Sequence, residues 1–110
     1  MKSVFPEMIR RLPLADIPLD GVTGFISQAE DHQILFMEFS REVAVPTHSH
    51  GDQWGMVLAG SIDLTVAGKE RTYGPGDNYF IPAGAEHSAK IHAGYADATF
   101  FADPHRYKPK

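Results

Sequence analysis

The stretch Val43-Ala44-Val45-Pro46-Thr47-His48-Ser49-His50, followed at once by Gly51-Asp52-Gln53 and Trp54-Gly55-Met56-Val57-Leu58-Ala59-Gly60, decides how this chain is read. Both flanks have strand-like composition, so the two histidines stand where one strand ends and a short loop begins. Side chains alternate faces along a strand, and His48 and His50 therefore point the same way with Cβ atoms roughly 6.5–7 Å apart. Two metal–nitrogen bonds of about 2.0–2.1 Å, from rings angled toward each other, close that gap. A third histidine follows Tyr79-Phe80-Ile81-Pro82 and a Gly-Ala turn: His87 continues into Ser88-Ala89-Lys90-Ile91-His92, which alternates again. Its face is shared with Ala89 and Ile91, small and apolar as an interior requires. Three neutral imidazoles converging on one point make a first-row metal site with positions left for a ligand.

These residues also carry a family resemblance. His48-Ser49-His50-Gly51-Asp52-Gln53, with Gly60 seven residues after Gln53, resembles the first cupin motif, G-x5-H-x-H-x3,4-E-x6-G. Gly76-x5-Pro82-x-Gly84-x2-His87 resembles the second, G-x5-P-x-G-x2-H-x3-N, with Ile91 at the place of the Asn. The likeness spans about residues 43 to 91. Two departures stand out: Glu42 occupies the place of the leading glycine, and Gln53 that of the acidic ligand, one residue closer to His50 than usual. The resemblance implies a metal held by His48, His50 and His87, with Gln53 as a weaker, uncharged fourth candidate.

Composition fits one small globular domain. The chain has 110 residues, 43% of them hydrophobic, a formal net charge of −4 and no cysteine. That length supports a single core, the charge offers no pull toward nucleic acid or an anionic membrane, and the lack of thiols excludes a disulfide frame or thiolate ligands. No apolar run approaches the roughly 20 residues of a membrane span, so a cytoplasmic protein is expected.

Turn signals recur at short intervals, as in an all-β domain of many short strands. Gln33 to Phe39 is apolar on both faces, Ile34 and Phe36 on one and Leu35, Met37 and Phe39 on the other. Such a strand suits a barrel wall with a partner subunit outside it. Ile62, Leu64 and Val66 alternate with Asp63 and Thr65; Gly60-Ser61 and Gly68-Lys69 suit two-residue hairpin loops; Gly74-Pro75-Gly76-Asp77 suits a type II turn. Thr99, Phe100 and Phe101 close the series as a last strand. The expected organisation is an arm over residues 1–21, with one helical turn between Pro6 and Arg11, a barrel over 22–103, and a solvated basic tail over 104–110. The arm's apolar residues need cover, from their own barrel or from a neighbouring subunit. Composition alone reaches "sandwich or barrel"; the cupin resemblance narrows this to a small antiparallel jelly-roll β-barrel.

With no carboxylate among its ligands, a divalent metal here keeps its full formal charge, which favours an anionic ligand at the open positions. Zn, Fe, Ni or Cu is then expected over Mn. Met37, Gln53, Trp54, Met56, Phe80 and Ile91 are the candidates facing the site, although for Trp54 a core or interface anchor is the commoner role. Tyr73 and Tyr79 could each supply a phenol, although a buried phenol bonded to backbone is commoner. Asp52 suits a base, a distant ligand or a loop cap, while His32, His92 and His105 have no convergent partner. Two functions follow: a non-catalytic sensor or storage domain for a small organic anion, slightly favoured by the scarcity of acid and base groups, or a metal-dependent oxygenase-like or isomerase-like enzyme on an organic acid or phenol. A homodimer is expected, with no nucleic-acid partner.

Overall fold

The computed structural model describes residues 2–110. After a four-residue helix α1 (Glu7–Arg10), nine strands follow: β1 (Val22–Gln28), β2 (Gln33–Phe39), β3 (Val43–His48), β4 (Gln53–Ala59), β5 (Ile62–Val66), β6 (Lys69–Tyr73), β7 (Asn78–Ile81), β8 (His87–Ile91) and β9 (Ala96–Phe101). They form two antiparallel sheets, ordered β1-β2-β9-β4-β7 and β3-β8-β5-β6. The fold is the expected jelly roll. Its core lies between the sheets: Leu35, Met37, Val57, Ile81 and Phe101 from the first pack with Ile62, Leu64 and Ile91 from the second. Alternation decides these faces, one side of each strand turning inward.

Local turn chemistry fixes the connections. Asp77 N–H bonds the Gly74 carbonyl at 2.9 Å and Gly76 sits at φ 89°, the hydrogen bond and left-handed position that a type II turn needs. Two expectations shift. The β5–β6 loop is Ala67-Gly68 rather than Gly68-Lys69, since Val66 pairs with Lys69 and both loop residues have positive φ, as a type I′ turn demands. Gly60-Ser61 makes no hairpin, because β4 and β5 belong to different sheets.

The termini wrap their own barrel. Leu14 bridges Phe25, Ala15 N–H bonds the Gly24 carbonyl at 2.9 Å, and Ile26 N–H bonds the Pro13 carbonyl at 2.8 Å. Phe5 packs edge-on against Phe25 and Phe36, so the arm covers the outer apolar face of β1 and β2. The tail, expected to be solvated, runs back across the molecule instead. Ala15 bridges Pro109, and Asp16 N–H bonds the Lys108 carbonyl at 2.8 Å. Buried Gln33 clamps Tyr107 from both sides, donating to its carbonyl at 2.8 Å and accepting from its N–H at 3.0 Å. No described helix is long and apolar enough to cross a membrane.

Candidate functional site

Each of the three motif histidines is aimed by its backbone. Between Val45 and His48 β3 spends three residues where β8 spends two, Val45 pairing with Ala89 and His48 with His87. That bulge restores His48 to the inward face shared by Val45, which strict alternation would have denied it. His50 lies just past the strand, and its carbonyl accepts the Gly84 N–H at 3.0 Å. This bond ties the first motif loop to the Pro82-Ala83-Gly84 turn that precedes His87. Asp52 reinforces the tie, accepting the Ala83 N–H at 2.7 Å, and so acts as the loop cap.

Hydrogen bonds set the tautomers. The Nδ1 of His48, His50 and His87 lies 2.9, 2.8 and 3.0 Å from the carbonyl oxygens of Pro46, Gly51 and Ala85, respectively. A carbonyl can only accept, so each Nδ1 carries the proton and each Nε2 of a neutral ring presents a lone pair. Burial pushes the His50 and His87 pKa down and favours that neutral state, although the carbonyls at Gly51 and Ala85 pull the other way. Yet Nε2 of His50 and Nε2 of His87 stand 3.1 Å apart. Two lone pairs at that distance repel unless a positive charge is shared between them, and two bonds of about 2.0–2.1 Å to one ion readily span it. The ligand atoms of all three histidines lie within 4.8 Å of one another, a group able to hold a metal ion. Backbone carbonyls on the far ring nitrogens are the usual outer partners of metal-binding imidazoles. The donor set therefore fits a divalent transition metal.

The histidines line one end of a cavity of about 240 Å³ between the sheets. For comparison, an apolar cavity of about 150 Å³ takes up benzene. Of the sequence candidates, Gln53, Met37 and Ile91 line this cavity; Trp54, Met56 and Phe80 do not. Alternation gives the reason: Gln53 pairs with Ile81 and Gly55 with Tyr79, both cavity-facing pairs, so the interleaved Trp54–Phe80 pair points out. Tyr79 lies across Gly55, where a Cβ would collide with its ring, and the absent side chain makes room for the phenol. The other histidines stay apart from the site. His32 stacks on Phe100 and bonds Asp31, His92 bonds Asp63 at 2.8 Å, and His105 is exposed.

Among the cavity residues the sequence does not single out for the site, four carry polar groups: Asp97, Thr99, Arg106 and Tyr107. Tyr95, Asp97, Thr99 and Phe101 alternate with Ala96, Ala98 and Phe100, a period-two signal that would have placed Asp97 and Thr99 inside. The Tyr95 hydroxyl donates to Asp97 Oδ2 at 2.7 Å. Burial raises the Asp97 pKa to about 6, against the opposing pull of Tyr95, Thr99 and Tyr79 nearby. Only the Tyr95 contact has hydrogen-bonding geometry; Asp97 Oδ1 and Thr99 Oγ1 are buried without a partner among the described residues. Arg106 arrives from the tail, its guanidinium 4.5 Å from the Tyr107 ring centroid and 5.6 Å from that of Phe101, with Nε also buried and unpartnered among the described residues. Its charge helps depress the His50 and His87 pKa.

The family model described as "Cupin domain" matches residues 36–102, more than half of the chain and all three histidines. The chain belongs to the cupin family. Solved cupin-like folds superpose well at low identity. KdgF from Halomonas sp. is 22% identical with a TM-score of 0.69, covering 80% of this chain and 84% of that one. An RmlC-like cupin from Shewanella frigidimarina is 21% identical with a TM-score of 0.76, covering 88% and 87%. Oxalate decarboxylase from Bacillus subtilis, studied for its Mn(II) centres, is 20% identical with a TM-score of 0.65, covering 77% of this chain and 26% of that one. At these identities the likeness speaks for the fold. A search of curated proteins found no match. Beside the histidines, this chain's cavity holds the uncharged Gln53 and Arg106, the latter brought in by the tail.

Proposed function

We propose that this cupin holds a divalent transition metal through Nε2 of His48, His50 and His87, with Gln53 as a neutral fourth candidate, and binds a small organic anion at the open positions. The observation that carries the reading is the pair of lone-pair nitrogens 3.1 Å apart at the end of a cavity. Arg106 adds a fixed positive charge to the cavity wall, which supports an anionic ligand such as a carboxylate. Because no acidic ligand neutralises the ion, imidazole-preferring Zn, Fe, Ni or Cu fits better than Mn. A cytoplasmic setting agrees with a chain without cysteine. Elemental analysis of tag-free protein is the test: about one metal per chain in the wild type, with strong loss in His48→Ala and His87→Ala. Equal content in all three samples would remove the site.

Turnover is a second reading, and one residue favours it. The sensor role rests on a scarcity of acid and base groups, but Asp97, with a pKa of about 6 inside the cavity, is suited to moving a proton near neutral pH. Incubating metal-loaded protein with small hydroxy- and keto-acids in D2O, followed by NMR, separates the readings. Catalysed exchange of a ligand C–H that is lost in Asp97→Asn supports an enzyme, while binding without exchange supports a sensor.

A further inference from the structure

Two polar side chains of the cavity each keep a buried oxygen that the site described above leaves unpaired. Asp97 is 4% and Thr99 1% exposed, both line the cavity, and Asp97 Oδ1 and Thr99 Oγ1 each lack a hydrogen-bond partner among the described residues. Both lie on β9 in line with Phe101, whose ring packs on His50 at 5.8 Å between centroids. Thr99 is two residues and Asp97 four residues from Phe101, or roughly 7 and 13 Å along a strand. The orphan atoms therefore sit progressively deeper than the histidine end.

Their chemistry is matched. The Tyr95 hydroxyl occupies Asp97 Oδ2 and fixes the carboxyl, which leaves Oδ1 as an acceptor in a cavity lined also by the Tyr79 phenol and by apolar Met37, Leu64 and Ile91. Thr99 brings a hydroxyl that can donate or accept. A single O–H group between them can donate to Asp97 Oδ1 and accept from Thr99, satisfying both atoms at once. A role limited to packing would be served better without either polar atom, since a buried unpaired oxygen destabilises the fold.

We infer that Thr99 and Asp97 form a second polar anchor of the cavity, which takes the hydroxyl of a small hydroxy-carboxylic acid whose carboxylate lies at the histidine end. The inference rests on the proposed metal and carboxylate reading of that end and adds a second recognition element to it. The ligand is thereby held at two points, and its length is set by the distance from the metal end to Thr99 and Asp97.

The test uses Zn2+-loaded full-length protein and isothermal titration with matched pairs: 3-hydroxypropanoate and propanoate, 4-hydroxybutanoate and butanoate, 5-hydroxypentanoate and pentanoate, 6-hydroxyhexanoate and hexanoate. The expected result is that the carboxylates bind and that, at one chain length, the hydroxylated member binds at least about tenfold tighter. Thr99→Val, nearly isosteric, and Asp97→Asn should each reduce that preference to about threefold or less. Carboxylates that bind with no hydroxyl preference at any length overturn the anchor and leave the metal reading standing. A preference that survives both substitutions also overturns the anchor. Failure of every acid to bind the loaded wild type overturns both.

Discussion

At the scale of single residues, the chemistry of the cavity turns on Asp97 and Gln53 as much as on the histidines. Burial holds the folded-state pKa of Asp97 at about 6, well above the usual carboxylate range. For an acid with a raised pKa, the folded state binds the proton more tightly, so its contribution to stability is present below about pH 4 and is lost as pH rises through 6. A rise of that size corresponds to something on the order of 3 kcal/mol. Metal-free Asp97→Asn should therefore match the wild type in urea unfolding at pH 4 and exceed it by up to about that amount at pH 7. An unchanged difference between the two pH values would mean that the carboxyl is solvated. Gln53 poses the converse question, since it lines the cavity beside the histidines but carries no charge. If its amide oxygen reaches the ion, Gln53→Glu adds a hard anionic ligand and should raise Mn relative to Zn in competitive loading. It should also weaken carboxylate binding by neutralising part of the metal's charge. Unchanged selectivity would take Gln53 off the ion. The histidines are legible in the sequence because their spacing is local and follows the motif. The bulge that aims His48 has no comparable local signature, and Asp97 becomes legible only when the Tyr95 to Phe101 alternation is followed upstream of Thr99.

At the scale of elements, the strands are readable and the tail is not. Gln33 to Phe39 has the bounds read from the sequence, and the Gly74 to Asp77 turn has the hydrogen bond its residues imply. Both depend on neighbours in sequence. The tail depends on partners 74 residues or more away, Gln33 for Tyr107 the nearest of those named, and a run of basic and proline residues gives no hint of such a partner. The outward placement of Trp54, Met56 and Phe80 escapes the sequence for a similar reason: β4 is apolar on both faces, so alternation without register leaves its inward side undecided. Gln33 supplies a test of how far the tail matters. Its side chain is 1% exposed and makes both hydrogen bonds to Tyr107 as well as a 2.7 Å bond to Gln28 Oε1. Gln33→Leu keeps the volume but orphans the Tyr107 N–H and carbonyl, at a cost of about 2–4 kcal/mol. Urea unfolding should show that loss, and trypsin should cut after Arg106 several-fold faster. A variant with wild-type cleavage kinetics would show that the tail is held by its backbone bridges to the arm alone.

At the scale of the whole molecule, what the arm leaves uncovered is as informative as what it covers. Phe5 closes over Phe25 and Phe36, yet in the next row across the same sheet face, Ile34–Phe100–Trp54–Phe80, Phe100 carries the His32 ring while Trp54 and Phe80 stay exposed. Phe80 is 57%, Trp54 40% and Phe100 39% exposed, three large aromatic side chains side by side on paired strands. A contiguous patch of this kind is unusual on a monomer and suits an isologous contact, in which the row of one copy meets the same row of another. We propose a homodimer through this face, the association expected from the two-sided apolarity of β2. Light scattering should report twice the chain mass at micromolar concentration, and Phe80→Lys combined with Trp54→Glu should return the single-chain mass. Because both side chains point away from the cavity, the double variant should keep its metal content, which separates loss of association from loss of fold. A wild-type monomer would contradict the dimer, and a variant that remains dimeric would move the interface elsewhere. All three histidines come from one chain and line the cavity on the inner side of the sheet, so dimerisation on the opposite side of β4 would leave the cavity available to ligand in both copies.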